Sequence, residues 1–182
     1  MQLLAFVLIY PLLWFVSILP FRLLYAVSDV LYVVLYHIVG YRKQTVQENL
    51  KLVFPDKSEA ERQLITKRFY HHLCDMILEA IKSMSISVED MKARFKFTNI
   101  ELIKEFEKQN KSIVLMCAHY GSWEWIFIIQ TYVKFRGYAV YKRLNNIYFD
   151  KLVRGIRARY NSYLVTTKET IPTLIENKKK GV

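Results

Sequence analysis

The residues Ser112–Ala118 read SIVLMCA, and His119–Glu124, directly after them, read HYGSWE. A continuous apolar run of this length is typical of a strand that is buried on both faces, as in parallel sheets. Short strands and helices then alternate: strands at 138–141 and 163–166, and helices near 122–135, 147–160 and 169–179. This alternation indicates βαβ units. The predicted fold is therefore α/β, with a mostly parallel sheet flanked by helices.

Upstream of this run the sequence predicts mainly helices. Ser58 and Glu61 have the spacing of a capping box and predict the start of a long amphipathic helix. Ser87 predicts the cap of a short helix, and residues 100–109 have a helical pattern. Residues 94–98 alternate between charged and apolar side chains, which is typical of a strand.

The composition favours a partner that is both anionic and apolar. The chain has 182 residues, a net charge of +11 and 53% hydrophobic residues, which excludes intrinsic disorder. Nucleic acid alone would explain the charge but not the apolar surplus, so we expect no nucleic-acid partner. An anionic membrane surface would explain both properties. The two cysteines, Cys74 and Cys117, do not form a disulfide framework, and we expect both to be buried, reduced thiols.

The first forty residues are typical of a membrane segment. Leu3–Leu19 contains no charged residue and ends at Pro20, and the sequence that follows, up to Tyr41, is nearly as apolar. We interpret these stretches as an anchor helix and an interfacial helix. A cleaved signal peptide fits poorly, because no basic residue precedes the apolar core. Positive charge concentrates after this apolar region, beginning with Arg42 and Lys43, which predicts that the remainder of the chain lies in the cytoplasm.

Two domains are therefore predicted: a membrane segment at 1–41 and a soluble α/β domain at 42–182. The three lysines Lys178–Lys180 and Gly181 are typical of a helix end, and Val182 would open the next strand. A sheet that stops there would leave an exposed edge. We therefore expect the chain to be the N-terminal part of a longer protein.

The residues after the apolar run carry the candidate chemistry. Ligands of open α/β sheets bind at the carboxyl ends of the strands, where His119 and Glu124 would lie. The two side chains can meet only if His119 sits in a turn and Glu124 in the first helical turn, and Gly121 allows that bend. A carboxylate bonded to one imidazole nitrogen would leave the other nitrogen free to act as a general base.

Several motifs together resemble those of the bacterial lipid A biosynthesis acyltransferases, the lauroyl and myristoyl group of the lysophospholipid acyltransferase superfamily. HYGSWE resembles the histidine–glutamate block of that family, and the resemblance spans nearly the whole chain. The other matching positions are Tyr41-Arg42, Asn49-Leu50, Phe54-Pro55, Glu79, Tyr141–Asn146, Asp150, Arg157 and Arg159. This sequence has Lys142 and Arg143 where the family usually has Arg and Pro, and Ser122 where it usually has Asn.

The resemblance implies a glycerolipid acyltransferase-like fold at the bacterial inner membrane, with the catalytic domain on the cytoplasmic side. It implies transfer of a fatty acyl chain from an acyl carrier protein or coenzyme A thioester to a hydroxyl of a lipid A precursor. The thioester is then a co-substrate, and no cofactor or metal is expected. By resemblance His119 is the general base and Glu124 its partner. The residues expected to bind substrate are Lys142, Arg143, Asn146, Arg157 and Arg159.

Other interpretations remain open at this point. The same chemistry could act on a glycerol-phosphate acceptor, although that branch typically has Asp where this chain has Glu124. The chain could also be an inactive, membrane-associated fragment. His71, His72, Cys74 and Asp75 share one helix, but no second group of ligands accompanies them to form a zinc site. Ser122 fits a helix cap better than a nucleophile.

Overall fold

The computed structural model describes residues 1–180, most of which are helical. The predictions for Gly181 and Val182 lie outside the described residues. The α-helices are α1 (Gln2–Ile18), α2 (Phe21–Tyr32), α3 (Lys43–Val53), α4 (Glu59–Lys82), α5 (Val88–Arg94), α6 (Ile100–Lys108), α7 (Ile147–Ala158) and α8 (Thr170–Lys180). A π-helical segment, Val33–Val39, continues α2, and Trp123–Thr131 form a 3₁₀ helix. The strands are β1 (Tyr138–Tyr141) and β2 (Tyr163–Thr166).

The chain divides into two compact units. One consists of Leu13–Lys82, and the other combines Met1–Leu12 with the chain from Ser83 onward. Helix α1 therefore contributes its first residues to one unit and its last to the other. The predicted division at residues 41 and 42 was based on membrane character, and it stays a prediction.

In the unit Leu13–Lys82, α2 and its π-helical continuation pack along α4. Buried aromatic side chains and one cysteine form the core of this contact: Tyr32, Tyr36, Tyr70 and Cys74. Polar side chains extend the contact toward the start of α2. The Ser28 hydroxyl donates to Asp75 at 2.6 Å, and the Tyr25 hydroxyl donates to Glu79 at 2.7 Å.

The unit that includes Ser83 onward contains the sheet. Strands β1 and β2 run parallel, with Tyr138 opposite Tyr163 and Tyr141 opposite Thr166. Helix α7 connects them, so the second predicted βαβ unit is confirmed. Among the described residues only these two strands pair, so the glycerolipid acyltransferase-like fold implied by the resemblance stays a prediction.

Two predicted strands are wrong. Residues 112–118 have no regular structure and pair with no strand in the described chain, and their side chains are exposed, Val114 and Met116 to more than four-fifths. Cys117 is therefore exposed rather than buried, whereas Cys74 is buried as predicted. Residues 94–98 are also no strand, because α5 continues through Arg94 and a turn follows. The helix expected near 122–135 is a shorter 3₁₀ helix.

The helix starts follow the sequence more closely. Glu61 Oε2 accepts from the backbone nitrogen and the hydroxyl of Ser58, both at 2.8 Å, so the predicted capping box is confirmed. These bonds lower the pKa of the Glu61 carboxyl. The Ser87 hydroxyl accepts from the backbone nitrogen of Asp90 at the start of α5, as predicted. Helices α6 and α7 also lie where their patterns predicted.

The N-terminal apolar stretches are both helical. Helix α1 passes through Pro11 and ends before Pro20. Of the described helices, only Phe21–Val39 is long and apolar enough to cross a membrane by length and composition. That segment is the one expected to be interfacial, whereas the expected anchor, α1, is shorter.

Candidate active site

The block HYGSWE begins in a turn and ends in the 3₁₀ helix. Gly121 has a φ of +59°, in the left-handed region that glycine adopts without strain. The Gly121 carbonyl accepts from the nitrogen of Trp123 at 2.8 Å, and this bond closes the turn. His119 therefore precedes the turn, and Glu124 lies in the first turn of the 3₁₀ helix. Ser122 is at the N-cap position, but its side chain makes no capping bond.

Glu124 forms an ion pair with Arg157 of α7. Arg157 Nε donates to Glu124 Oε2 at 2.9 Å, and a terminal nitrogen of the same guanidinium donates to Oε1. Their side chains are 18% and 16% exposed, so water screens the pair less than it would a surface pair. Two parallel bonds fix the orientation of the carboxylate as well as its position.

Aromatic rings surround this ion pair. The guanidinium carbon of Arg157 lies 5.6 Å from the centroid of the Trp123 ring and 5.9 Å from that of Phe127. The imidazole of His119 contacts the same tryptophan, with 4.4 Å between ring centroids. Trp123 thus contacts both the histidine and the arginine. The cation–π contacts stabilise Arg157 in the orientation that holds Glu124.

The structure does not join His119 to Glu124. Among residues 1–180, the hydrogen bonds of the Glu124 carboxylate come from Arg157, and His119 is exposed to solvent. The spacing of the two residues placed them near one turn but did not predict that Arg157 would bind Glu124. The catalytic roles of His119 and Glu124 stay predictions.

The loop after β1 is organised by Asp150. This buried carboxylate accepts from the Leu144 nitrogen at 2.9 Å and from the Tyr141 hydroxyl at 3.3 Å, and Arg143 Nε lies 3.9 Å from it. Burial raises the pKa of Tyr141, and Arg154 opposes this shift. The side chains of Lys142 and Arg143 remain exposed at the end of β1. Both are therefore accessible to an anionic ligand.

The other predicted binding residues make structural contacts. Asn146 is the N-cap of α7, where its Oδ1 accepts from the nitrogens of Tyr148 and Phe149 at 3.0 and 3.3 Å. Arg159 donates to the Ile86 carbonyl at 2.7 Å. These contacts give Asn146 and Arg159 a role in the fold, and their predicted contact with substrate stays a prediction.

Sequence reasoning missed two parts of this site. It assigned Arg157 to substrate and did not predict its pairing with Glu124, 33 residues away. It also missed Phe127, since an aromatic residue in an apolar helix gives no sign of which cation it will contact. The available signal was that Arg157 is a charged residue on the apolar face of α7, where a charge needs a partner. Within the described part of the chain no group of three acidic, histidine or cysteine side chains could hold a metal ion.

Trp123 thus contacts both the exposed imidazole of His119 and the guanidinium that holds the Glu124 carboxylate. Residues 2–182 match the family described as bacterial lipid A biosynthesis acyltransferase, and the chain belongs to that family. The lipid A biosynthesis myristoyltransferase of Escherichia coli (strain K12) is 21% identical over 133 residues, covering 73% of this chain and 41% of that protein.

A second relative matches the chain with similar identity and coverage. Lipid A biosynthesis acyltransferase 2 of Shigella flexneri is 20% identical over 140 residues, covering 77% of this chain and 44% of that protein. The chain thus spans less than half the length of the curated relatives that it matches.

Proposed function

We propose that the protein transfers a fatty acyl chain from an acyl carrier protein or coenzyme A thioester to a hydroxyl of a lipid A precursor. The observation that carries this proposal is the family match, which extends over residues 2–182 and includes the HYGSWE block. The proposed enzyme acts at the cytoplasmic face of the bacterial inner membrane.

In the proposed reaction His119 is the general base. Its exposed ring nitrogen removes the proton of the acceptor hydroxyl as the oxygen attacks the thioester carbonyl. An ester bond forms, the carbon–sulfur bond breaks, and the imidazolium returns its proton to the leaving thiolate. This exchange of a thioester for an ester needs no external oxidant or reductant.

Glu124 is the proposed partner of His119 in the substrate-bound enzyme. A carboxylate has about four lone-pair sites, and the bidentate bond to Arg157 uses two of them. The remaining sites can accept from an imidazolium without loss of the ion pair. His119 precedes the turn in a segment without regular structure, so its side chain can approach Glu124 when substrate displaces it from Trp123.

Lys142 and Arg143 are the proposed contacts for acceptor phosphates. Both are exposed at the end of β1, and the chain has a net charge of +11. The three other predicted binding residues, Asn146, Arg157 and Arg159, are proposed to support the site through the contacts described above.

The test is thioester consumption by membranes that contain the full chain, supplied with a lipid A precursor or with a lysophosphatidate acceptor. We expect transfer to the lipid A precursor and a loss of at least about 100-fold in His119→Ala. His72→Ala is the matched control, because His72 is an exposed histidine on α4. Preference for lysophosphatidate would favour the glycerolipid alternative. Unchanged transfer in His119→Ala would overturn the proposed base.

A further inference from the structure

The first turn of α1 is bonded to the start of α7. The side-chain nitrogen of Gln2 donates to the Asn145 carbonyl at 3.2 Å, and its side-chain oxygen accepts from the Ile147 nitrogen at 3.4 Å. The Asn146 side chain donates to the Gln2 carbonyl at 3.1 Å. The backbone nitrogens in the first turn of a helix have no acceptor within that helix. Gln2 therefore supplements the cap that Asn146 provides at this end of α7.

The second turn of α1 packs on the first turn of α7 through aromatic rings. The centroid of the half-buried Phe6 ring lies 5.2 Å from that of Phe149 and 5.6 Å from that of Tyr148. Tyr10 stacks on Phe6 with 5.1 Å between centroids. These separations fall in the range of roughly 4.5–7 Å in which aromatic pairs attract one another. Hydrogen bonds and ring contacts together thus hold α1 against the start of α7.

These contacts lie within one compact unit. Met1–Leu12 belong to the same unit as the chain from Ser83 onward, which contains α7 and the HYGSWE block. The sequence predicts only a membrane role for this N-terminal stretch. In the structure its first two turns also have an inward contact, besides the apolar side chains Leu4 and Leu8 that they expose.

Helix α7 connects this contact to the candidate site. Arg157, which holds the Glu124 carboxylate with two nitrogens, is ten residues after Ile147 on the same helix. At about 1.5 Å per residue, the two positions are about 15 Å apart along the helix axis. A tilt or shift at the start of α7 therefore moves the guanidinium. A displacement of about 1 Å at a reacting group can cost roughly 100-fold in rate.

We propose that Gln2 and Phe6 are positioning residues for acyl transfer. They hold the start of α7, and α7 holds the Glu124 carboxylate through Arg157. The first two turns of α1 then belong to the proposed active site as well as to the predicted membrane segment. This inference rests on the proposed function, because its effect on rate requires Glu124 to take part in catalysis.

The kinetic test compares Phe6→Ala with Phe15→Ala in membranes that contain the full chain. Phe15 is the matched control, since it is an exposed phenylalanine on the same helix. We expect Phe6→Ala to lower kcat with the lipid A precursor by about 3- to 10-fold at nearly constant KM. Phe15→Ala should change kcat less than about twofold. A wild-type rate in Phe6→Ala, or equal losses in both variants, would overturn the proposal.

A double variant tests whether Phe6 acts through Arg157. If it does, adding Phe6→Ala to Arg157→Lys should lower kcat less than about twofold further, because the geometry that Phe6 preserves is already lost. Losses that multiply would show that Phe6 acts independently of Arg157, which contradicts the proposal.

Hydrogen exchange of the α7 amides, read by peptide mass spectrometry in detergent, does not depend on activity. Phe6→Ala should speed exchange in residues 147–158 by at least about threefold, and Phe15→Ala should leave it unchanged. Unchanged exchange in Phe6→Ala would overturn the proposal even if that variant were less active. If wild-type membranes transfer nothing to the lipid A precursor while Phe6→Ala speeds exchange, the proposed function fails and so does the catalytic role of the contact. The structural link between α1 and α7 then stands alone.

Discussion

Arg157 holds the carboxylate of Glu124 with two nitrogens of its guanidinium, across 33 residues of sequence. The glutamate therefore has a fixed direction before any substrate binds. Because Trp123 contacts both Arg157 and His119, a change in the ion pair would also alter the surroundings of the imidazole. We therefore propose that the ion pair positions the proposed catalytic residues.

Replacing Arg157 by lysine tests this role. Lysine keeps the charge but loses the bidentate geometry and the flat face that lies over Trp123. If Glu124 partners His119, Arg157→Lys lowers kcat for acyl transfer by about 10- to 100-fold, because small displacements of reacting groups are costly. Initial rates at several acceptor concentrations measure this.

The control for that variant is Arg154→Lys, an exposed arginine on the same helix, which should change kcat less than about twofold. An increase in KM at unchanged kcat in Arg157→Lys would show that Arg157 binds the acceptor rather than positioning Glu124.

Asn146 is expected to stabilise α7 as its cap. Asn146→Ala removes the acceptor for the nitrogens of Tyr148 and Phe149, which should lower the free energy of unfolding by about 1 kcal/mol. Aspartate also caps helices, so Asn146→Asp should recover most of the lost free energy of unfolding. Denaturant titrations in detergent measure both variants. Asn145→Ala is the matched control, since the bond at Asn145 uses its backbone carbonyl. Equal stability of Asn146→Ala and wild type would exclude the capping role.

The capping box at the start of α4 predicts a pH dependence. Bonds from Ser58 lower the pKa of Glu61 below its ordinary value of 4.5. A lowered folded-state pKa stabilises the fold above the unfolded value, and the contribution is lost as pH falls through the folded value. Glu61→Ala should therefore destabilise the protein near neutral pH, and its difference from wild type should shrink as the pH falls below 4.5.

Unfolding titrations at several pH values measure this difference. Glu59→Ala removes a neighbouring exposed carboxylate that is not part of the capping box. Its effect on the free energy of unfolding should vary less with pH. A constant difference between Glu61→Ala and wild type across this range contradicts the prediction.

The two cysteines should react at different rates. Cys117 is exposed, whereas Cys74 is buried, and burial raises the pKa of its thiol, with a further contribution from Asp75. Since the thiolate is the reactive form, Cys74 in the native protein should react with a maleimide at least about tenfold more slowly than Cys117. Peptide mass spectrometry after timed labelling identifies the modified residue. Protection of Cys117 would mean that residues 112–118 are buried.

The sequence predicted helices better than strands, for a physical reason. The signals for α4, α5 and α7 are local: a capping residue and an apolar periodicity within one segment. A strand at 112–118 would need partners elsewhere in the chain, and apolar composition alone does not supply them. The paired strands β1 and β2 were predicted because a helix of suitable length separates them, which is again a local signal.

The same limit applies to the site. For His119 and Glu124 to meet, the chain must bend between them, and the structure has a bend at Gly121. That the two side chains meet stays a prediction. The partner of Glu124 depends on how α7 lies beside the 3₁₀ helix, and no spacing within HYGSWE contains that information. The cap role of Asn146 was readable in principle, since asparagine before an amphipathic helix is a common cap.

The turn at Gly121 also determines which substitutions this position tolerates. No atom lies within 4 Å of the place where a Cβ would be, so crowding does not select glycine there. The backbone conformation does, because a left-handed residue costs ordinary L-amino acids about 1–2 kcal/mol. When position 121 is randomised, the residues that it tolerates should therefore be those that adopt the left-handed backbone conformation easily, rather than those with small side chains. Asparagine and aspartate would persist beside glycine, while valine and isoleucine would disappear.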